Sequence, residues 1–243
     1  MSAKKKNNQK IKLVIAGIAG RMGQEIVKVV AQDPEWALTG GIDHAESLPN
    51  TRLEQEPSGF EKKAVDVVID FSSPALFRST LEWCVDNKRP FVSGTTGVAK
   101  DDFQRLKAAS KKIPVLWSPN MSLGIAMFGE LIKKAAKLDG FDFQIEEFHH
   151  RHKKDKPSGT AILLQDALTA STSQPVPEPL SIRGGGIFGI HRLYCMSSDE
   201  TLSIEHVALN RSVFAKGAVS AAKWLVSQRL GLYELKDTLG RLD

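Results

Sequence analysis

Cysteine is scarce. Only Cys84 and Cys195 occur in 243 residues, which excludes a disulfide scaffold and fits a reducing compartment. Aromatic residues make up 7% of the chain, with two tyrosines, and none interleave with a basic stripe. A single-strand nucleic-acid binder of the stacking type is therefore excluded. No apolar run reaches the roughly 18 residues that a membrane span needs. The opening MSAKKKNNQK leads into a strand, not into an apolar core with a small-residue cleavage site, so a secretory signal is excluded. The expectation is a cytoplasmic protein without membrane partners. Low-complexity tracts and internal repeats are missing too, so disordered and solenoid readings fall away.

What is present is an ordinary globular balance, 42% hydrophobic and 25% charged, enough for one large domain or two small ones. The formal net charge is +5, with part of the excess at Lys4, Lys5, Lys6 and Lys10, read as a solubilising tail. The remaining positive balance suits an anionic small molecule, or weak contact with nucleic acid.

The first half alternates strand and helix. Residues 11–16 (IKLVIA), 37–42, 65–71, 90–93 and 113–117 read as short apolar strands of the kind buried on both faces. Between them, residues 23–32, 73–87 and 100–110 read as helices, and residues 45–61 as a polar loop. Ser73-Pro74 supplies an N-cap and a first helical residue. This rhythm predicts βαβ units and a parallel sheet. The second half changes character: helices at 122–138, 158–169 and 214–228, and strands at 141–148, 181–182, 191–196 and 201–207. Gly231 is read as closing the last helix. The fold class is α/β: a Rossmann-like dinucleotide-binding domain plus an α+β domain with a mixed sheet. The expected domains are residues 1–120, completed by 211–243, and residues 121–210.

Between the first strand and the first helix stands Gly17-Ile18-Ala19-Gly20-Arg21-Met22-Gly23, a G-x-x-G-x-x-G variant of the dinucleotide fingerprint. One glycine permits the turn, one lets backbone approach a pyrophosphate, and one lets helix pack on strand. A ribose-binding acid is expected some twenty positions on, where Asp43 ends the second strand. Its charge would repel a 2′-phosphate, which favours NAD over NADP, while a protonated His44 would soften that choice. Gly94, Thr95, Thr96 and Gly97, and Pro119, Asn120, Met121 and Ser122, follow strands at the same edge. The hydroxyls of Thr95 and Thr96 suit a nicotinamide amide or ribose; Phe71 and Ser72 share that edge.

The densest polar cluster runs from Glu146 to Thr160 and holds three of the six histidines, His149, His150 and His152. Three readings compete. It is a solvated charge run, a metal site using His150 and His152 on one strand face with a carboxylate, or an anion site. Ser158 is expected to cap a helix whose Gly159 and Thr160 amides would receive a carboxylate. Arg151, Lys153 and the histidines would stand nearby, with Asp155 holding the cations in place.

The run Glu147-Phe148-His149-His150-Arg151-His152-Lys153-Lys154-Asp155-Lys156-Pro157-Ser158-Gly159-Thr160-Ala161 resembles the E-x-H-H-x-x-K-x-D-x-P-S-G-T-A signature of dihydrodipicolinate reductases, also called 4-hydroxy-tetrahydrodipicolinate reductases. The glycine turn, Ile69-Asp70-Phe71-Ser72, Gly94-Thr95-Thr96-Gly97, Asn120-Met121-Ser122-Leu123-Gly124 and Phe214-Ala215-Lys216-Gly217-Ala218-Val219 match in order and spacing. The resemblance implies NAD(P)H-dependent reduction of a small cyclic dicarboxylate in lysine and diaminopimelate biosynthesis, by a homotetramer built through the second domain's sheet. Carried over by position, His149 and Lys153 look like the proton-handling pair, and His150, Gly159 and Thr160 like substrate binders. Gly17 to Met22, Asp43, Gly94 to Thr96 and Pro119 to Ser122 look like binders of NADH or NADPH. His44 stands where many relatives carry an arginine, and residues 45–64 form a shorter stretch than in many of them. The rival expectations are an oxidoreductase of similar plan with another anionic substrate, and a Rossmann module that binds nucleic acid.

Overall fold

Strands whose side chains are apolar on both faces set the first sheet. The computed structural model describes residues 10–240, so Lys4, Lys5 and Lys6 of the basic tail lie outside the described residues. Internal contacts divide the described chain into two units, one of residues 10–121 with Phe214–Gly240, the other Ser122–Val213.

The first unit opens with strand β1 (Ile11–Ala16), helix α1 (Arg21–Ala31), β2 (Trp36–Ile42) and a two-residue strand β3 (Leu53–Glu54). It continues through β4 (Val67–Asp70), α2 (Pro74–Asn87), β5 (Phe91–Ser93), α3 (Lys100–Ser110) and β6 (Pro114–Trp117). From Leu13 to the end of β1 and throughout β4 every residue is buried, as a parallel strand covered by helices on both sides requires. Ser73 caps α2 by accepting the Leu76 N–H at 3.3 Å, and Pro74 occupies the first turn.

The second unit carries α4 (Leu123–Ala135), β7 (Asp142–His149), α5 (Gly159–Thr169), β8 (Leu180–Arg183), β9 (Gly189–Met196) and β10 (Thr201–Ala208). The chain then returns to the first unit through α6 (Ser212–Leu225) and β11 (Gly231–Tyr233). The buried face of α6 is built largely from small residues, Ala215, Gly217, Ala218, Ala221 and Ala222. Its Lys223 pairs with Glu35, and Trp224 packs edge-on against Tyr233.

All neighbours in the seven-stranded sheet are parallel, in the order β11-β6-β5-β4-β1-β2-β3. Strand order reverses between β1 and β4, the switch point at which open α/β sheets bind ligands. The second sheet is mixed, in the order β10-β9-β7-β8, with β7 and β8 parallel and the other pairs antiparallel. Its core joins Phe143, Ile145, Leu193 and Cys195 from the strands to Phe128, Ile132, Leu164 and Leu168 from α4 and α5.

Two expectations need correction. Residues 45–61 are not wholly loop: Leu53 and Glu54 pair with Gly41 and Ile42 and extend the sheet beyond β2. Gly231 does not close a helix, because α6 ends at Leu225 and Gly231 starts a strand paired with Pro114 of β6. A three-residue strand gives too short a pattern to be told from a helix tail.

Candidate active site

In the first unit the residues of the glycine turn are fixed by sterics. Gly17 has φ +77°, and a Cβ there would stand 2.3 Å from the Phe71 carbonyl oxygen, so only glycine is tolerated. A Cβ on Gly23 would stand 2.3 Å from the Gly17 carbonyl oxygen. Gly20 donates its N–H to that same carbonyl at 3.1 Å. It is also the N-cap of α1, which has no side-chain cap and no acidic residue in its first turn. A bare helix N-terminus behind a side-chain-free turn is the cradle that a pyrophosphate fits. Ile18 is fully buried, while Arg21 is exposed and Met22 half-buried. Asp43, directly after β2, accepts the Ala19 N–H on Oδ2 at 2.9 Å, so acid and turn meet as the spacing predicted. His44 is exposed.

The loops after β4 and β5 are tied together by Asp70. This fully buried carboxylate accepts the hydroxyls of Ser93 and Thr95 at 2.7 Å, and that of Ser72. Burial pushes its pKa up from the ordinary carboxylate range, against the hydrogen bonds that favour the anion. Thr95 Oγ1 also accepts the Ser72 N–H at 2.9 Å. The hydroxyl expected to face a ligand is thus spent on this internal knot, and Thr96 carries the exposed one. Gly94 lies under the Phe71 ring, 2.3 Å from where its Cβ would be. After β6, Pro119 is exposed, the Asn120 carbonyl accepts the Ser118 hydroxyl at 2.7 Å, and Met121 is buried.

In the second unit, the helix-covered face of the sheet turns polar along one row. Glu147 lies opposite His191, and His191 opposite His206. Both His191 and His206 meet a helix cap. Ser158 Oγ, which caps α5, is 3.3 Å from His191 Nε2, and Ser122 Oγ, which caps α4, is 3.2 Å from His206 Nε2. Ser122, expected beside the cofactor, is thus the buried cap of a second-unit helix.

Glu147 is completely buried. Arg183 holds it at 2.6 and 2.7 Å, His149 Nδ1 lies 2.5 Å from Oε2, and Oε1 accepts the Ser158 N–H at 3.2 Å. Burial works against the carboxylate, but the Arg183 and His149 bonds outweigh it and hold its pKa at about 2. Burial also pulls the His149 pKa below its ordinary value, opposed by Glu147 and reinforced by the Lys153 and Arg183 charges. A neutral His149 then donates from Nδ1 to Glu147 and keeps Nε2 as its basic atom. His191 is held down to about 3, first by burial and then by His149 and His206.

Strand β7 ends at His149, so His150 and His152 fall in the following turn and do not alternate on a strand face. The geometry on which their pairing as metal ligands rested is therefore missing. His150 is half-buried, and its Nδ1 is buried without a hydrogen-bond partner. Lys153 Nζ pairs with Asp155 at 2.9 Å. Gly159 opens α5, and a Cβ there would meet nothing within 4 Å, so the space before the helix end is open. Thr160 follows in the first turn.

Sequence reasoning gave no role to Glu147, Arg183, His191 or His206. Glu147 carried a signal, since Phe143, Ile145, Glu147 and His149 alternate toward the covered face. The other three arrive through strand pairing and leave no local mark.

The family model described as dihydrodipicolinate reductase, N-terminus, matches residues 11–121, and the one described as its C-terminus matches residues 124–239. A 4-hydroxy-tetrahydrodipicolinate reductase of Bdellovibrio bacteriovorus is 48% identical over 95% of this chain and 97% of its own length. The chain belongs to the dihydrodipicolinate reductase family. It is therefore an oxidoreductase of a family with a dinucleotide-binding N-terminal half. The Zymomonas mobilis 4-hydroxy-tetrahydrodipicolinate reductase is 38% identical over 95% of this chain and 97% of its own length. Among solved structures, dipicolinate-bound dihydrodipicolinate reductase from Paenisporosarcina sp. TG-14 superposes with a TM-score of 0.82 at 22% identity, covering 94% of this chain and 99% of that one. Aspartate dehydrogenase from Thermotoga maritima shares the fold more distantly, with a TM-score of 0.56 at 12% identity, covering 91% of this chain and 99% of that one. No described helix is long and apolar enough to cross a membrane.

Proposed function

We propose that this chain reduces 4-hydroxy-tetrahydrodipicolinate (dihydrodipicolinate) to tetrahydrodipicolinate with NAD(P)H, in lysine and diaminopimelate biosynthesis. Within the family, the observation that carries this reading is the buried Glu147–His149 pair, seated beside the Lys153 loop and the open N-terminus of α5.

The dinucleotide supplies a hydride when bound. Gly17, Gly20 and Gly23 would let its pyrophosphate approach the α1 amides, and Asp43 would accept the adenosine ribose hydroxyls. Pro119, Asn120 and Met121, with the Gly94 and Thr96 turn, would border its nicotinamide end. In the second unit one substrate carboxylate would sit against Gly159 and Thr160, beside His150. Loss of the 4-hydroxyl as water gives dihydrodipicolinate with its conjugated C=C–C=N system, and hydride addition to that system leaves an electron-rich enamine, which must collect a proton. Lys153, or His149 once protonated at Nε2, delivers it, worth about 10²–10⁴-fold by general acid catalysis. Pinning both carboxylates contributes orientation as well.

The test is turnover of freshly prepared dihydrodipicolinate, followed by loss of reduced-nicotinamide absorbance. A crystal soaked with pyridine-2,6-dicarboxylate should place one carboxylate at Gly159 and Thr160. Binding elsewhere, or no turnover with either nucleotide, sinks the reading.

Bound at the adenosine ribose, Asp43 would repel the 2′-phosphate of NADPH, so NADH is the proposed reductant. Asp43→Asn keeps an acceptor for the Ala19 amide and removes the charge. Its NADPH-to-NADH ratio of kcat/KM should rise about tenfold, the equivalent of roughly 1.4 kcal/mol. Steady-state kinetics with both nucleotides reads this directly, and an unchanged ratio refutes the assignment.

We further propose that the second sheet assembles a homotetramer. On its uncovered face Ile182, Phe148, Ile190 and Val207 form one apolar row across all four strands. Ile182 and Val207 are more than 40% exposed, the kind of apolar patch that marks an interface. Sedimentation should return the mass of four chains. The buried free thiols of Cys84 and Cys195 fit work in the cytoplasm.

A further inference from the structure

Three groups to which the proposed function assigns chemistry are tied to one ion pair. Glu147 Oε2 meets His149 Nδ1 at 2.5 Å, and Oε1 accepts the backbone N–H of Ser158, the cap residue of α5. The other partner, Arg183, grips both carboxylate oxygens and then reaches past them. Its Nε donates to the Lys153 carbonyl at 3.3 Å and its Nη2 to the Asp155 carbonyl at 2.6 Å. One buried carboxylate and one guanidinium thus fix a histidine ring, the entry to a helix and the backbone of the loop carrying Lys153. Both side chains are almost fully covered, Glu147 at 0% and Arg183 at 7% exposure.

Replacing a buried ion pair by apolar groups is often neutral or stabilising, so stability alone does not account for this one. Apart from a bond from Arg183 Nη1 to the neighbouring Ile182 carbonyl at 2.8 Å, the remaining bonds of this pair end on the His149 ring, the Lys153 loop and the α5 cap.

We infer that the Glu147–Arg183 pair is the positioning device of the active site: Glu147 sets the tautomer of His149, and Arg183 locks the Lys153 loop against the first turn of α5. The inference deepens the proposed function and rests on it for the identity of the reaction. With Nδ1–H committed to Glu147, Nε2 is the atom left to exchange a proton. The charged and titratable groups facing His149 are Glu147 on its own strand, Arg183 on β8, His191 on β9 and Lys153 in the loop.

The test uses the full-length chain with Glu147→Gln, Arg183→Lys and the charge-free double variant Glu147→Gln/Arg183→Met. The double variant keeps the test open if either single change leaves a buried charge that the fold does not tolerate. Partners that orient metal-bound histidines typically contribute about 10- to 100-fold, and a loss of the same size is expected for the carboxylate that orients His149. Glu147→Gln should lower kcat by that factor and shift the alkaline limb of the kcat profile to lower pH, since His149 loses the anion that favours its protonated form. In ¹⁵N spectra His149 should pass from one tautomer to a mixture. Arg183→Lys should keep the His149 tautomer and raise the substrate KM, because a lysine cannot hold Glu147 and two carbonyls together. NADH affinity should stay within twofold in every variant. A His149 tautomer and pH profile that do not move, even with activity lost, would reduce the pair to a purely structural role and overturn the inference. Should the parent chain reduce no dihydrodipicolinate, the proposed function fails instead, and the ¹⁵N spectra of Glu147→Gln still decide whether Glu147 sets the His149 tautomer.

Discussion

Lys153→Ala should lower kcat by about 10²–10⁴-fold while leaving NADH binding unchanged. The separation follows from where the residues lie. The glycine turn, the bare α1 terminus and Asp43 all belong to the first unit, whereas Lys153 lies in a second-unit loop between β7 and α5. Its side chain is about one quarter exposed and held by Asp155, so its removal exposes no apolar core and leaves no buried charge. A residue that delivers its proton only as the enamine collapses contributes to the transition state more than to the bound substrate. Its loss therefore appears in kcat before it appears in KM. His149→Gln should act in the same direction. If the two residues work as a unit, Lys153→Ala/His149→Gln will cost much less than the product of the single losses. Fluorescence titration with NADH and steady-state kinetics separate these quantities. Equal loss of nucleotide binding and turnover in Lys153→Ala would contradict the assignment.

Legibility in the sequence tracked how local each cause is. The bounds of β1 are readable because burial on both faces leaves an apolar run next to a glycine turn. The start of α2 is readable because Ser73 and Pro74 declare it. The meeting of Asp43 with the turn was foreseeable, since a βαβ unit brings the end of its second strand beside the first. In the second unit the histidine-rich run was visible but not its wiring. Glu147 looked like one charge among many, although its alternation with Phe143, Ile145 and His149 placed it on the covered face. Arg183, His191 and His206 enter the site through strand register, and register depends on pairings between residues far apart in the chain. The bonding of the Thr95 hydroxyl is illegible in the sequence for a related reason. A threonine between glycines suggests an available hydroxyl, and only the fold shows that Asp70 has already claimed it.

The same buried row predicts a pronounced loss of stability in mild acid. His191 titrates near 3 in the folded chain against an ordinary 6.5, so the fold favours the neutral ring. That preference contributes fully above pH 6.5 and is lost as the pH falls toward 3. At about 1.4 kcal/mol per pKa unit, the loss is about 3 kcal/mol by pH 4. Glu147 behaves as a depressed acid, near 2 against 4.5. Its contribution is complete above pH 4.5 and is lost only as the pH falls from there toward 2. The two windows follow one another, and between pH 6.5 and 4.5 His191 acts without Glu147, joined by His149 and His206, whose pKa values burial also lowers. His191→Asn removes the titrating ring and leaves a neutral polar group facing Ser158. Its unfolding free energy should be lower than the parent's at pH 7, because the Ser158 contact and ring packing are disturbed. It should then fall more gently with acid, so that the two curves converge toward pH 4. Urea titrations at pH 7, 5.5 and 4 measure the slopes. Parallel decline of parent and variant would mean that His191 is not the group the fold must protonate.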